Sequence, residues 1–215
     1  MLIVGAKGFA KEVLEDIYMN YSDQEIVFYD DVSSDLPEML YKKYKILKTE
    51  EDVLIHFKNC GNKFTIGIGN PILRLKMFEK FRNLGGELIG TKSKHSLIGS
   101  FGNTISHGCN IMSGVVLTND ISVGTGCLIN LNCTIGHDSI IGDFVEMSPG
   151  VHISGYCNIG SFCNIGTNAT ILPKIKLGKN VIVGAGSVVI KDIPDNSLVV
   201  GVPATIKKEL TPIDY

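Results

Sequence analysis

Counting every sixth residue from Ile105 gives Ile105, Ile111, Leu117, Val123, Ile129, Ile135, Ile141, Met147, Ile153, Ile159, Ile165, Ile171, Leu177, Val183 and Val189, without one polar interruption. A period of six matches neither the 3.6 of an α-helix nor the 2 of a strand. It fits a solenoid in which three hexapeptides make one triangular coil, the large aliphatic filling the interior. Five coils at about 4.8 Å each predict a prism roughly 24 Å long. The position after the aliphatic is often glycine (Gly124, Gly136, Gly142, Gly160, Gly166, Gly178, Gly184), which predicts tight corners with positive φ there.

Two places before each aliphatic stands a small or β-branched residue, among them Cys109, Cys127, Cys133, Cys157 and Cys163. A free cysteine behaves there as a compact apolar side chain. Cys109 and Cys127, 18 residues apart, are expected to stack on adjacent coils within reach of a disulfide. They are read as reduced, because an even cysteine count implies a disulfide framework only in an extracellular context. Their spacings are not those of zinc ligands, and no metal is expected.

Lys and Arg (20) nearly balance Asp and Glu (22) and are interspersed with them, so neither a nucleic-acid partner nor an anionic membrane surface is indicated. No apolar run is long enough to cross a bilayer and the first residues lack a signal-peptide pattern, which predicts a cytoplasmic protein without membrane insertion. Most charge and every predicted helix lie before about residue 95. Two domains are therefore expected: an α/β, Rossmann-like unit over 1–88 and the β-helix over 89–215.

In the first unit, Leu2-Ile3-Val4 leads through Gly5 and Gly8 into a helix to about Tyr18, an arrangement that offers backbone N–H groups to a phosphate. A strand Ile26–Tyr29 ends in Asp30-Asp31, where carboxylates suit a ribose or base. A third strand, Phe64–Ile68, is followed by Gly69-Asn70-Pro71, with Pro71 opening a helix through Leu84. In a parallel sheet these strand ends converge on one crevice.

Histidine is the side chain best suited to act as a general base near neutral pH, so the histidines are candidate catalytic residues. Of five candidates, His56 lies in a charged helical stretch and is expected to be solvated, and His95 precedes the regular coils. His107, His137 and His152 fall on corner or outward positions.

The repeat, with Val183-Gly184-Ala185-Gly186-Ser187-Val188-Val189 and Gly201-Val202-Pro203-Ala204 at its end, resembles the left-handed β-helix acyltransferases over roughly residues 98 to 206. Left-handedness comes from that resemblance alone, since general crossover rules favour the right hand. The first unit resembles, in order, the N-terminal domain of nucleotide-sugar acetyltransferases of the sialic-acid O-acetyltransferase and bacillosamine N-acetyltransferase type.

The resemblance implies a homotrimer binding acetyl-CoA between subunits, and nucleotide-sugar contacts at Lys7, Gly8, Phe9, Asp30, Asp31 and Gly69. Some members have His where Phe9 stands, so a His contact to the sugar is not available here. The segment Asn130 to Asp143 matches the one carrying the general base, which implies His137 as base and Asp138 as its orienting carboxylate. Glu146 stands where the family often has a second histidine contacting acetyl-CoA, and Gly155, Thr167 and Ala185 align with other acetyl-CoA positions.

The expected function is N-acetylation of a nucleotide-linked 4-amino-4,6-dideoxy sugar for a surface glycan. O-acetylation of a sugar such as sialic acid, or a non-catalytic nucleotide-binding or scaffolding solenoid, are the alternatives.

Overall fold

The structure, a computed structural model, describes residues 1–20 and 25–213. The chain opens with β1 (Leu2–Val4), α1 (Gly8–Asn20), β2 (Val27–Tyr29), β3 (Met39–Leu40) and β4 (Tyr44–Leu47). It continues with α2 (Glu50–Cys60), β5 (Lys63–Ile66), α3 (Pro71–Asn83) and β6 (Glu87–Leu88). These strands form one sheet ordered β3-β4-β2-β1-β5-β6, parallel except for the β3–β4 pair.

The predicted strands and helices are present. β3 and β4 were not read from the sequence, because Tyr44-Lys45-Ile46-Leu47 has neither a clean alternation nor glycine punctuation. Apolar clusters fill both sheet faces, one around Ile3, Ala10, Ile17 and Phe28, the other around Val4, Phe64, Ile66 and Phe81. Gly67 is what lets α1 lie so close to the sheet: a Cβ there would stand 2.6 Å from the Ala10 Cα.

His56 departs from expectation. It is buried, and burial lowers its pKa, so it is a neutral imidazole inside the first unit and not a solvated surface group.

The two-residue strands β7 to β23, from Thr91–Lys92 to Val188–Val189, stack into three parallel sheets and form the β-helix. From Thr104 to Val189 strand partners lie 18 residues apart, as in Asn110↔Leu128↔Glu146↔Asn164, so each of these coils is three hexapeptides. The helix starts earlier than Ile105: Leu97–Ile98 pairs with Val116–Leu117. One extra residue between Ile98 and Ile105 breaks the count of six and hides this first coil from it. Ile105, in the end strand of its sheet, is 37% exposed, whereas the other aliphatics of the column are buried.

At the far end, β24 (Ser197–Gly201) pairs with Ile182–Val183 and folds back antiparallel on β25 (Ala204–Glu209). This hairpin closes the coil, a terminal cap of the kind solenoids need.

The corner glycines have a different cause from the one predicted. Positive φ occurs three residues after each aliphatic, at Gly108, Gly114, Asp120, Gly126, Asn132, Asp138 and onward to Gly186. The glycines directly after the aliphatic answer instead to close approach between coils. A Cβ on Gly136 would lie 2.6 Å from the Gly155 nitrogen, and one on Gly142 would lie 2.5 Å from the Ser161 nitrogen.

The cysteine column is buried and all six thiols are free. Each buried thiol also donates toward a carbonyl of the next coil, Cys109 to Gly124 and Cys127 to Gly142 at 3.0 Å, Cys163 to Gly178 at 3.1 Å. Burial pushes the Cys133 thiol up to about 11 and Cys163 to about 12, so these groups stay protonated.

Candidate functional site

Two separate constellations carry most of the predicted residues. The first is a cavity of about 470 Å³ beyond the carboxyl ends of β1, β2 and β5, where open α/β sheets bind ligands. All six residues expected to contact a nucleotide sugar, Lys7, Gly8, Phe9, Asp30, Asp31 and Gly69, line it.

Gly5 makes the turn, at φ +98 with its N–H on the Tyr29 carbonyl, and α1 begins at Gly8 with its free N–H groups at the cavity. A Cβ on Gly8 or Gly69 would meet nothing, so neither glycine is demanded by the fold itself.

The two aspartates differ in what holds them. Asp30 Oδ1 accepts from the Val32 and Ser33 backbone nitrogens at 3.2 and 2.8 Å and shapes the loop. Asp31 Oδ2 accepts from the Tyr29 hydroxyl at 2.7 Å and from Lys80 Nζ at 3.1 Å. Desolvation works against the charge of Asp31, but these two donors win and hold its carboxyl below the ordinary range. Desolvation likewise opposes the Lys80 charge, and its contacts to Tyr29 and Asp31 raise its pKa regardless. Lys80 reaches the cavity edge from α3 and also pairs with Glu50 at 3.3 Å. No local signal in the sequence links residues this far apart, so the Tyr29–Asp31–Lys80 network has no sequence signature.

The second constellation lies on a corner of the β-helix. His137 and Asp138 leave the coil after Thr134–Ile135, and Asp138 takes φ 57 at the turn. His137 Nδ1 meets Asp138 Oδ2 at 2.8 Å, with the two side chains 57% and 41% exposed. A carboxylate only accepts, so Nδ1 carries the hydrogen and Nε2 keeps its lone pair.

One coil on, Gly155 lies under the ring: a Cβ there would fall 2.8 Å from Nε2 and Cε1. Glycine at 155 therefore clears the space beside the basic nitrogen. Tyr156 closes the other side edge-on, with ring centroids 5.1 Å apart.

The remaining predicted residues are elsewhere. Thr167 and Ala185 stand one coil apart on a different corner, next to the Asn164–Ile165 and Ile182–Val183 strands. Glu146 is buried in the sheet between Leu128 and Asn164 and accepts from the Ser148 hydroxyl at 2.9 Å. Burial raises its pKa, against the pull of Ser148 and Arg74. His152 meets Thr134 Oγ1 at 2.9 Å, and His107 lies beside Phe78 of α3.

The two units are joined through α3. Arg74, 1% exposed, donates from Nε and Nη2 to the Gly126 carbonyl of the β-helix at 3.0 and 2.6 Å. Its Nη1 donates to the Ile66 and Ile68 carbonyls at 3.3 and 2.9 Å, beside the cavity-lining Gly67. Asn110 adds a bridge to the Ile66 carbonyl at 2.9 Å.

Residues 1–81 match the family described as the PglD N-terminal domain, and residues 156–191 match the bacterial transferase hexapeptide with its six repeats. The fold is an α/β unit followed by a left-handed hexapeptide-repeat β-helix.

Among solved structures, PerB from Caulobacter crescentus in complex with CoA and GDP-perosamine superposes with TM-score 0.85 at 26% identity, covering 96% of each chain. WeeI from Acinetobacter baumannii does so with TM-score 0.87 at 28% identity, and the acetyltransferase domain of PglB from Neisseria gonorrhoeae, in complex with acetyl coenzyme A, with 0.85 at 28%. Both cover 96% of this chain and 98% of the other.

Curated relatives match over a short stretch. A galactoside O-acetyltransferase from Lactococcus lactis is 44% identical over 45 residues and a serine acetyltransferase from Bacillus pumilus 52% over 40 residues. These alignments span 22% and 18% of the relatives' own length.

Proposed function

We propose that this chain is an acetyl-CoA-dependent N-acetyltransferase that acts on the amino group of a nucleotide-linked 4-amino-4,6-dideoxy sugar. The observation that carries the reading is the His137–Asp138 pair at 2.8 Å with Nε2 left open above Gly155. The cavity at the strand ends, sized for a nucleotide, supports the acceptor class. PerB, of the same overall fold, was solved with CoA and GDP-perosamine.

The sugar amine attacks the thioester carbonyl as His137 Nε2 takes its proton, and Asp138 stabilises the imidazolium through Nδ1–H. Collapse of the tetrahedral intermediate breaks the C–S bond, and the imidazolium returns the proton to the departing thiolate. One amide and one free CoA thiol result. No covalent acyl-enzyme and no metal enter this sequence.

Lys7, Gly8, Phe9, Asp30, Asp31 and Gly69 hold the nucleotide sugar in this scheme, with the α1 N–H groups at the diphosphate. Gly155, Thr167 and Ala185 serve acetyl-CoA. Thr167 and Ala185 occupy a different corner from His137 within one chain, which favours a homotrimer whose acetyl-CoA cleft uses corners of two neighbours. Glu146, enclosed within one chain, meets acetyl-CoA in this scheme only if that cleft reaches its sheet. Free thiols, and the fact that no described helix is long and apolar enough to cross a membrane, agree with a cytoplasmic place for the reaction.

The test is release of free thiol from acetyl-CoA with a panel of UDP-, dTDP-, GDP- and CMP-linked amino and hydroxy sugars. The expected result is turnover on a nucleotide amino sugar, reduced at least about 100-fold in kcat by His137→Ala. Unchanged turnover in that variant overturns the mechanism. Turnover restricted to hydroxyl acceptors assigns an O-acetyltransferase, and nucleotide-sugar binding without turnover assigns a non-catalytic solenoid.

A further inference from the structure

The amino ends of the parallel strands, opposite the nucleotide cavity, carry a second cluster. His56 and Cys60 stand four residues apart on the last turns of α2 and so share one helix face. Glu25, just before β2, approaches them. The donor atoms of Glu25, His56 and Cys60, one from each, all lie within 4.8 Å of one another.

The His56 side chain is buried, and its Nε2 has no hydrogen-bond partner among the described residues. An unpaired buried imidazole costs stability unless something meets it. Cys60 and Glu25 are exposed, and the Cys60 thiol points its hydrogen at Glu25 Oε2, 3.3 Å away.

We propose that Glu25, His56 and Cys60 bind a divalent cation of the zinc class. Thiolate, imidazole and carboxylate together form the donor set that such an ion prefers, with water in the fourth position. Tetrahedral ligands around zinc stand roughly 3.5 Å apart, so the exposed Cys60 and Glu25 side chains close on a buried and fixed His56. The imidazole is neutral, the form that ligates, and the Cys60 proton leaves to solvent on binding. Two cations border the same cleft: Lys63, exposed and screened by solvent, and the Met1 ammonium, whose pKa burial lowers so that it gives up its proton more readily beside an ion.

The ion would tie the end of α2 to the chain entering β2. It has no part in acetyl transfer, so the proposal stands or falls apart from the function proposed above.

The experiment is titration of the metal-stripped full chain with Co²⁺, read by the thiolate-to-metal charge-transfer band, followed by displacement with Zn²⁺. One equivalent is expected, with a tetrahedral spectrum that Zn²⁺ abolishes. Cys60→Ser, a change at an exposed position, is expected to remove the band while circular dichroism stays that of wild type. Glu25→Gln is expected to weaken binding at least about ten-fold.

His56→Gln checks the buried ligand, and a raised Tm on Zn²⁺ addition, absent in Cys60→Ser, provides a readout that does not depend on the spectrum. No band in the wild type overturns the proposal, as does a band that survives Cys60→Ser.

Discussion

Glycine serves two unrelated purposes in this coil, and substitution separates them. Gly142 has no positive φ, but an added Cβ would stand 2.5 Å from the backbone nitrogen of Ser161, which cannot move without shifting a coil. Gly186 has φ +66 and open space around it. Gly142→Ala is expected to destabilise by about 1–3 kcal/mol through overpacking. Gly186→Ala is expected to cost about 1 kcal/mol through backbone strain alone. Gly186→Asn should recover most of that, as Asn already serves at 132, 168 and 180, whereas Gly142→Asn should not. Thermal denaturation of the four variants decides it.

The spacing of glycines was legible in the sequence while their cause was not, because distance between coils is invisible along a single strand. Glu146 makes a second residue-scale case. Its folded pKa is raised, so the native state binds the proton more tightly than the unfolded chain does. Ionising it therefore weakens the fold as pH rises above the unfolded value of 4.5. Glu146→Gln should be more stable than wild type at neutral pH, with the difference vanishing below about pH 4.5 in urea titrations.

At the scale of elements, α3 connects the two halves of the molecule. Proline at its start and the Asn70 side chain on the Leu73 N–H set its first turn, and both signals were readable locally. What α3 does was not readable, because Arg74 and Lys80 find their partners in distant segments. Arg74 spends its guanidinium on carbonyls of β5's end and of the β-helix corner, holding the cavity floor against the coil. Burial lowers its pKa to about 10, so it remains charged at neutral pH.

Arg74→Met removes these donors and leaves the carbonyls unmet, which should cost at least about 3 kcal/mol. Arg74→Lys keeps the charge but cannot span both sides. It should fold, raise KM for the nucleotide sugar several-fold and leave KM for acetyl-CoA nearly unchanged. Equal changes in both constants would mean that Arg74 merely supports the fold.

The whole molecule is a one-dimensional stack with the α/β unit at one end and the β24–β25 hairpin at the other, so its surfaces run as long flat faces. Large apolar side chains stay exposed along them, Leu97, Phe101, Ile140 and Tyr156 among them, the last two close to His137. Isolated exposed residues need no explanation, but several on the faces of one prism suit contact with further copies.

The proposed cleft takes His137 and Gly155 from one copy and Thr167 and Ala185 from the next, a head-to-tail interface that closes into a ring of three. Complementation tests this directly. His137→Ala lacks the base, and Ala185→Trp fills the opposite corner; each alone should be inactive. Refolded together in equal amounts, they form interfaces at random, and one arrangement in four brings an intact His137 corner against an intact Ala185 corner. The mixture should regain about a quarter of wild-type activity, and sedimentation should give three copies of the 23.3 kDa chain. If each site lay within one chain, no mixture of the two variants would regain any activity, because every chain carries one defect. The recovered fraction thus measures whether the corner that holds the base and the corner that holds acetyl-CoA belong to different copies.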